Sequence, residues 1–396
     1  MIPTSMNQKP PAKLPDLSEM SARIKPGTHR FVMLGITVMS GMMMPARAEV
    51  PPPGGDKPVP ALKDIYKNDF LIGVAVGPYV YQNEDKTIGE LVAKHFNCLT
   101  CENAMKWASL HPAAGVYTFE TADKLVEFAK TKTMQVVGHT LVWEQQTPEW
   151  VFKGADGKDA NRDVLLVKMR EHIEKVAGRY RGKIKGWDVV NEAVAGGGKE
   201  WLSDSPWKRI IGEDYVLKAY EFAQQVDPKA ELYYNDYELE NPLKRERCVR
   251  LVKGLMDKGI KIHAVGNQAH WSLTKPSIAE IEQTLKDFVA LGVKINFTEL
   301  DVTLYNWGDK NDIYQTGAPP EVLQQQAARY AAIFALFHHY RQHIDRVTFW
   351  GPTDKYSWLN SFPVRHTNHP LLFDRAGLPK PAFWSVSEAA GEQKPR

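Results

Sequence analysis

Trp187-Asp188-Val189-Val190-Asn191-Glu192 is a short apolar run that ends abruptly in an amide and a carboxyl group. A basic, turn-like segment, Arg181-Gly182-Lys183-Ile184-Lys185-Gly186, precedes it, and the Gly-rich stretch Ala193-Val194-Ala195-Gly196-Gly197-Gly198 follows. A strand that delivers a polar pair at its C-terminal end is how a (β/α) barrel holds its chemistry. Far along the chain, Ile295-Asn296-Phe297-Thr298-Glu299-Leu300-Asp301 shows the same pattern. Two carboxyl groups on separate strand ends are the minimum equipment for hydrolysing a glycosidic bond. The rest of the chain reads as the scaffold that brings Glu192 and Glu299 together.

Working outward, a rhythm of apolar run, polar loop and amphipathic helix fills the chain. The spacing predicts strands at Leu71–Val76, Cys98–Glu102, Gln135–Trp143, Gly186–Glu192, Glu231–Tyr237, Ala264–His270, Lys294–Val302 and Arg346–Gly351. Helical patterns lie between them, among them Asp163–Tyr180, Asp214–Val226, Pro242–Lys258, Ser277–Leu291 and Pro320–His343. Strands that are nearly all apolar and alternate with helices argue for a closed parallel barrel. One (β/α)8 TIM barrel is expected over residues 61–390, and 396 residues in all suit that size.

The N-terminal segment reads differently. Arg23, Lys25, His29 and Arg30 precede an apolar stretch from Phe31 to Met44, and Pro45-Ala46-Arg47-Ala48 follows. A positive flank, a short apolar run and an A-x-A site make a secretory signal peptide over residues 1–48, cleaved after Ala48. The apolar stretch is shorter than the ~20 residues a membrane span needs. Pro51-Pro52-Pro53-Gly54-Gly55 marks residues 49–60 as a tether. The expected product is secreted or periplasmic.

The formal charge of +3 misleads as a guide to partners, because residues 1–48 hold six Lys/Arg against two Asp/Glu. Behind them stand 44 basic and 45 acidic residues, a balance that argues against nucleic acid as a partner. Cys98 and Cys101 have C-x-x-C spacing, but on a strand residues three apart point to opposite faces. Free buried thiols are expected there and at Cys248, with no cofactor and no metal. A monomer is expected.

At the predicted strand ends polar and aromatic groups accumulate: Glu102, Asn103 and Lys106; His139 and Trp143; Asn191 and Glu192; Asn235, Asp236 and Tyr237; Gln268 and His270; Glu299 and Asp301; Trp350, with Asp354 and Trp358 beyond it. Any one is compatible with rim packing. Their shared end of the barrel is the specific signal. Phosphate loops, GxGxxG and GxSxG are absent, so nucleotide chemistry and a serine elbow lack support. Carboxyl pairs work on acetals, amides grip hydroxyls, and indole faces stack on sugar rings, for which Trp143, Trp350 and Trp358 are candidates.

Glu299 and Asp301 point the same way on one strand. A His270 held by Asp301 and donating to Glu299 would keep Glu299 ionised, as a nucleophile requires. Glu192, near that anion in a desolvated cleft, would keep its proton as an acid and return as a base once the anion is esterified. Asn191 would meet the sugar 2-hydroxyl. Asp188 lies a layer deeper and is expected to be a satisfied core carboxylate.

These motifs resemble glycoside hydrolase family 10, the endo-β-1,4-xylanases. The resemblance runs from about residue 65 to 385 and rests on LTCENAMKW (99–107), GHTLVW (138–143), WDVVNEA (187–193), YNDYELE (234–240), GNQAH (266–270), FTELD (297–301), WGPTDKYSW (350–358) and PLLFD (370–374). It implies a retaining mechanism on xylan and xylo-oligosaccharides, with Glu192 as acid/base and Glu299 as nucleophile. It further implies that Glu102, Asn103 and Lys106 bind the sugar two units from the cut, and that His139, Trp143, Asn191, Gln268, His270, Trp350 and Trp358 surround the sugar being cleaved. One position departs: after GHTLVW the family commonly has His, and here stands Glu144.

Three other readings compete. A β-1,4-glucanase on the same barrel differs only in steric room near C5 of the sugar. A metal-dependent hydrolase using His139, His270 and Asp301 lacks the usual His-x-His cluster. A dead carbohydrate-binding protein predicts loss of Glu192 or Glu299, and both are present.

Overall fold

Burial along every strand is what the fold is built on. In the computed structural model, which describes residues 58–390, β1 (Leu71–Val76), β2 (Cys98–Cys101), β3 (Gln135–Val142), β4 (Gly186–Asn191), β5 (Glu231–Asp236), β6 (Ala264–Asn267), β7 (His270–Ser272), β8 (Lys294–Thr303) and β9 (Ile344–Phe349) all pair in parallel. The sheet runs β1 to β6 in order, then β8 and β9, and β9 returns to β1. Eight strands therefore close into a (β/α)8 barrel, and the short β7 pairs only with the far end of β8. The expected leader, and the tether up to residue 57, lie outside the described residues. No helix among the described residues is long and apolar enough to cross a membrane.

Two cores follow from the closure. The larger lies between sheet and helices, where Phe297 stacks on Phe337 of the helix Pro320–His339 with ring centroids 3.9 Å apart. The smaller, of Cys98, Val137, Tyr233 and Ala264, fills the barrel. Glycine is required where strands approach closely: a Cβ on Gly138 would stand 2.1 Å from the indole of Trp187. The three cysteines are free and buried, as expected.

Most expected boundaries hold to a residue or two, and three differ for physical reasons. The run Ala264–His270 is two strands, because Ala269 takes a left-handed backbone (φ 61°) that breaks the ladder. The last barrel strand is Ile344–Phe349 rather than Arg346–Gly351; Trp350 already belongs to the loop. The helix expected over Pro320–His343 ends at His339, and Arg341–His343 forms a separate 3-10 turn.

Candidate active site

Glu192 sits one residue past β4 in a left-handed conformation (φ 58°), with its N–H donating to the carbonyl of Asn235 at 2.9 Å. That turn directs its carboxyl group across the barrel mouth. Trp143 Nε1 donates to Oε2 at 2.9 Å, and Gln268 Nε2 to Oε1 at 2.8 Å. Asn191 Nδ2 adds a longer bond to Oε1 at 3.2 Å. Burial pushes the Glu192 pKa up, and the negative charges of Asp236 and Glu299 add to it against those donors.

Glu299 lies within β8 and is 5% exposed. His270 bridges it to Asp301: Nδ1 stands 3.0 Å from Asp301 Oδ2, and Nε2 stands 3.1 Å from Glu299 Oε2. With a carboxylate on each nitrogen the ring holds two protons. Burial opposes that charge, but Asp301 and Glu299 outweigh it and raise the His270 pKa to about 10. Burial likewise works against the Glu299 anion, yet the His270 proton and charge, with His139 and Asn235, hold its pKa below the ordinary carboxylate range. The two glutamates are thus biased in opposite senses.

Around them stand the other expected residues. His139, buried, turns Nδ1 to Asp188 Oδ2 at 2.9 Å. Lys106 is buried, with Nζ on Asn103 Oδ1 at 3.0 Å and 5.2 Å from the Trp143 ring. Burial lowers the Lys106 pKa while Glu299, Glu102 and Glu192 oppose the change; burial raises that of Glu102, against Lys106. Trp350 presents its ring edge-on to His139 and His270, at 5.7 and 6.3 Å. Trp358 Nε1 donates to Asp301 Oδ2 at 2.9 Å, so the indole also helps hold the histidine bridge.

Two readings need correction. Asp188 is buried in the core as expected, but it is not fully satisfied: Oδ1 has no hydrogen-bond partner among the described residues, and Oδ2 orients His139. Asp354 does not join the site. Its carboxyl group accepts from the N–H of Leu371 at 2.8 Å and faces Lys380 at 3.0 Å. Elsewhere, Asp312 ties its loop to the next through Tyr305 Oη and Thr367 N at 2.9 and 3.0 Å.

Over residues 61–389 the chain matches the model of glycosyl hydrolase family 10. It is similar to an endo-1,4-beta-xylanase of Geobacillus stearothermophilus, 46% identical over 331 residues that cover 83% of this chain and 98% of the relative. The chain belongs to glycosyl hydrolase family 10. A beta-1,4-xylanase of Dictyoglomus thermophilum is 45% identical, over 83% of this chain and 90% of that one. Among solved structures, a GH10 endoxylanase from a sugarcane soil metagenome superposes with a TM-score of 0.81 at 42% identity, covering 83% of this chain and 99% of that one.

Within this family 10 barrel, several contacts escaped sequence reasoning. Asn235 donates to Glu299 Oε1 at 3.0 Å and to Asn191 Oδ1 at 2.9 Å, joining β4, β5 and β8. Thr298 Oγ1 donates to Asn235 Oδ1 at 2.7 Å, which fixes the amide's orientation. The sequence shows only an amide near a strand end; the structure shows Asn235 fully buried, and such groups are there to be hydrogen-bonded. Phe362, more than half exposed, stacks on Trp358 at 5.4 Å, and the exposed Trp307 stands 6.1 Å away. Glu144 is half-buried beside Asp204 and Arg209; burial raises its pKa, Asp204 adds to the rise and Arg209 opposes it. It lines, with Glu192, Ser205 and Tyr215, a cavity of about 10 Å³, the room of one water.

Proposed function

We propose that the protein is an endo-1,4-β-xylanase that hydrolyses internal β-1,4-xylosidic bonds of xylan with retention of configuration by double displacement. The observation that carries this is the opposite bias of two carboxyl groups at one barrel mouth, the partly buried Glu192 toward the acid and the buried Glu299 toward the anion. The naming of the family relatives as xylanases supports the substrate.

Glu299 attacks the anomeric carbon while Glu192 gives its proton to the departing glycosidic oxygen. The glycosyl ester that forms removes the negative charge of Glu299. With one of its two anionic neighbours gone, the now deprotonated Glu192 is stable as a carboxylate, and it takes a proton from the attacking water, which displaces the ester. His270 and Asp301 support the nucleophile. Glu102, Asn103 and Lys106 bind the sugar two units from the cut, and His139, Trp143, Asn191, Gln268, Trp350 and Trp358 enclose the one being cleaved. Both nitrogens of His270 face carboxylates, which supports proton chemistry over use of that ring as a metal ligand. The leader pattern supports export, to the periplasm or beyond, and the substrates are xylan and xylo-oligosaccharides met by a single chain.

Proton NMR of a fresh xylan digest tests the reading. β-Anomeric reducing ends appearing first and mutarotating to α are expected. An initial α-anomer, or no cleavage by folded protein, overturns it.

A further inference from the structure

A left-handed backbone at a residue bearing a side chain persists only where its surroundings over-determine it. At Glu192 the near side is held by Asn235, Trp143 and Gln268, as described. The far side is held by something the mechanism has not used. The N–H groups of Ala193 and Val194 both donate to the hydroxyl of Tyr234 at 3.0 Å, and Val194 N also reaches Asp236 Oδ2 at 3.2 Å. Tyr234 in turn donates its proton to Asp236 Oδ2. Asp236 Oδ1 faces Lys244 Nζ at 2.7 Å, and neither side chain has any exposure. Lys244 comes from the helix Pro242–Asp257, and its ammonium lies 3.1 Å from the Tyr237 ring centroid. An unbroken chain of contacts thus runs from a helix behind the barrel to the two peptide units following Glu192.

We propose that Tyr234, Asp236 and Lys244 are positioning residues for the reaction, a buried unit that holds Glu192 at the cleft through the peptide groups of Ala193 and Val194 and places a second negative charge beside it. The proposal rests on the acid/base reading of Glu192. A buried ion pair contributes little net stability once desolvation is counted, so stability alone is a weak reason for one here. Its location supplies a better one.

The charged and titratable groups facing Glu192 are Glu299 from β8, Asp236 and Tyr237 from and beyond β5, Lys106 beyond β2, and Glu144 beyond β3. After burial, the charge of Asp236 raises the Glu192 pKa more than that of Glu299 does. Facing Asp236 are Lys244 and Cys248 of one helix, Tyr215 of another, and Tyr234. Burial pushes the Asp236 pKa up and Lys244 pulls it back. Unlike Glu299, Asp236 is not esterified during turnover. Its charge acts on Glu192 in both halves of the cycle.

The test compares Asp236→Asn, Tyr234→Phe and Lys244→Met with Glu192→Ala and the parent enzyme. Rates are measured against pH on aryl xylobiosides with good and poor leaving groups, with thermal melts alongside. Good leaving groups need no proton from the enzyme, so only poor ones report the acid. Asp236→Asn is expected to move the alkaline limb of kcat/KM to lower pH by roughly half a unit. Lys244→Met shifts it the same way, because an unpaired buried Asp236 takes up a proton. Tyr234→Phe, which removes one oxygen, is expected to slow poor leaving groups roughly tenfold while sparing good ones. Folded Asp236→Asn and Tyr234→Phe variants with the parent's pH profile and leaving-group dependence overturn the proposal, as do equal losses on both substrate classes. If Asp236→Asn does not fold, Tyr234→Phe decides alone. If Glu192→Ala shows no leaving-group dependence, the acid/base reading itself falls and takes the proposal with it.

Discussion

His270 Nε2 lies 3.1 Å from Glu299 Oε2. This contact makes a buried carboxyl group an anion at working pH, because the imidazolium, with a pKa of about 10, keeps its charge across the neutral range. Replacing His270 by Asn leaves burial unopposed at that oxygen, so the Glu299 pKa rises. The acid limb of kcat/KM should move to higher pH, with a rate loss of roughly 10- to 100-fold at the optimum. A pH–rate profile of the variant checks both.

The other oxygen of Glu299 depends on Asn235. Asn235→Ala should cost roughly 10- to 100-fold in kcat, the size of a lost hydrogen bond to a charged group. Asn235→Asp should cost more, since it sets a carboxylate against a carboxylate. Steady-state kinetics of the pair separates the lost bond from the added charge.

Gly266 is where the site meets the fold. A Cβ there would stand 2.4 Å from Asn235 Oδ1 and 2.8 Å from Thr298 Cγ2. Gly266→Ala should destabilise by about 1–3 kcal/mol and lower activity together, because relief of the clash displaces Asn235. Denaturant melts and rates on one preparation test the linkage.

Much of this was legible in the sequence. Uninterrupted apolar runs such as Leu71–Val76 announce strands buried on both faces, and their count and helix spacing give the barrel. Glu192, Glu299, His270 and Asp301 were found because each ends or lines a strand at the same barrel edge. What escaped depends on which strands lie side by side and where the backbone turns. Asn235 reaches from β5 to β4 and to β8 across the barrel, a relationship no local pattern encodes. The break at Ala269 has no Gly or Pro to mark it. Asp188 was read as core from its depth, but depth does not disclose that its oxygen steers His139.

Glu144 is the position where the chain departs from the family pattern. It shares a water-sized cavity with Glu192 but touches neither Glu299 nor its histidine bridge. Glu144→His should therefore leave the stereochemical outcome unchanged. A change in the first-formed anomer, read by proton NMR, would contradict the assignment of the two glutamates.

The thiols offer a simple check on the core. Burial raises the pKa of Cys98, Cys101 and Cys248 alike. None should react with a thiol reagent in the native protein at neutral pH, and all should react in denaturant.

The central claim is that Glu299 becomes esterified by the sugar. Incubation with an activated xylobioside fluorinated at C2, followed by peptide mapping with mass spectrometry, tests it most directly. The account predicts a stoichiometric glycosyl label on the peptide containing Glu299, with Glu192 unlabelled. A label on Glu192, or inactivation with no label on Glu299, would contradict it.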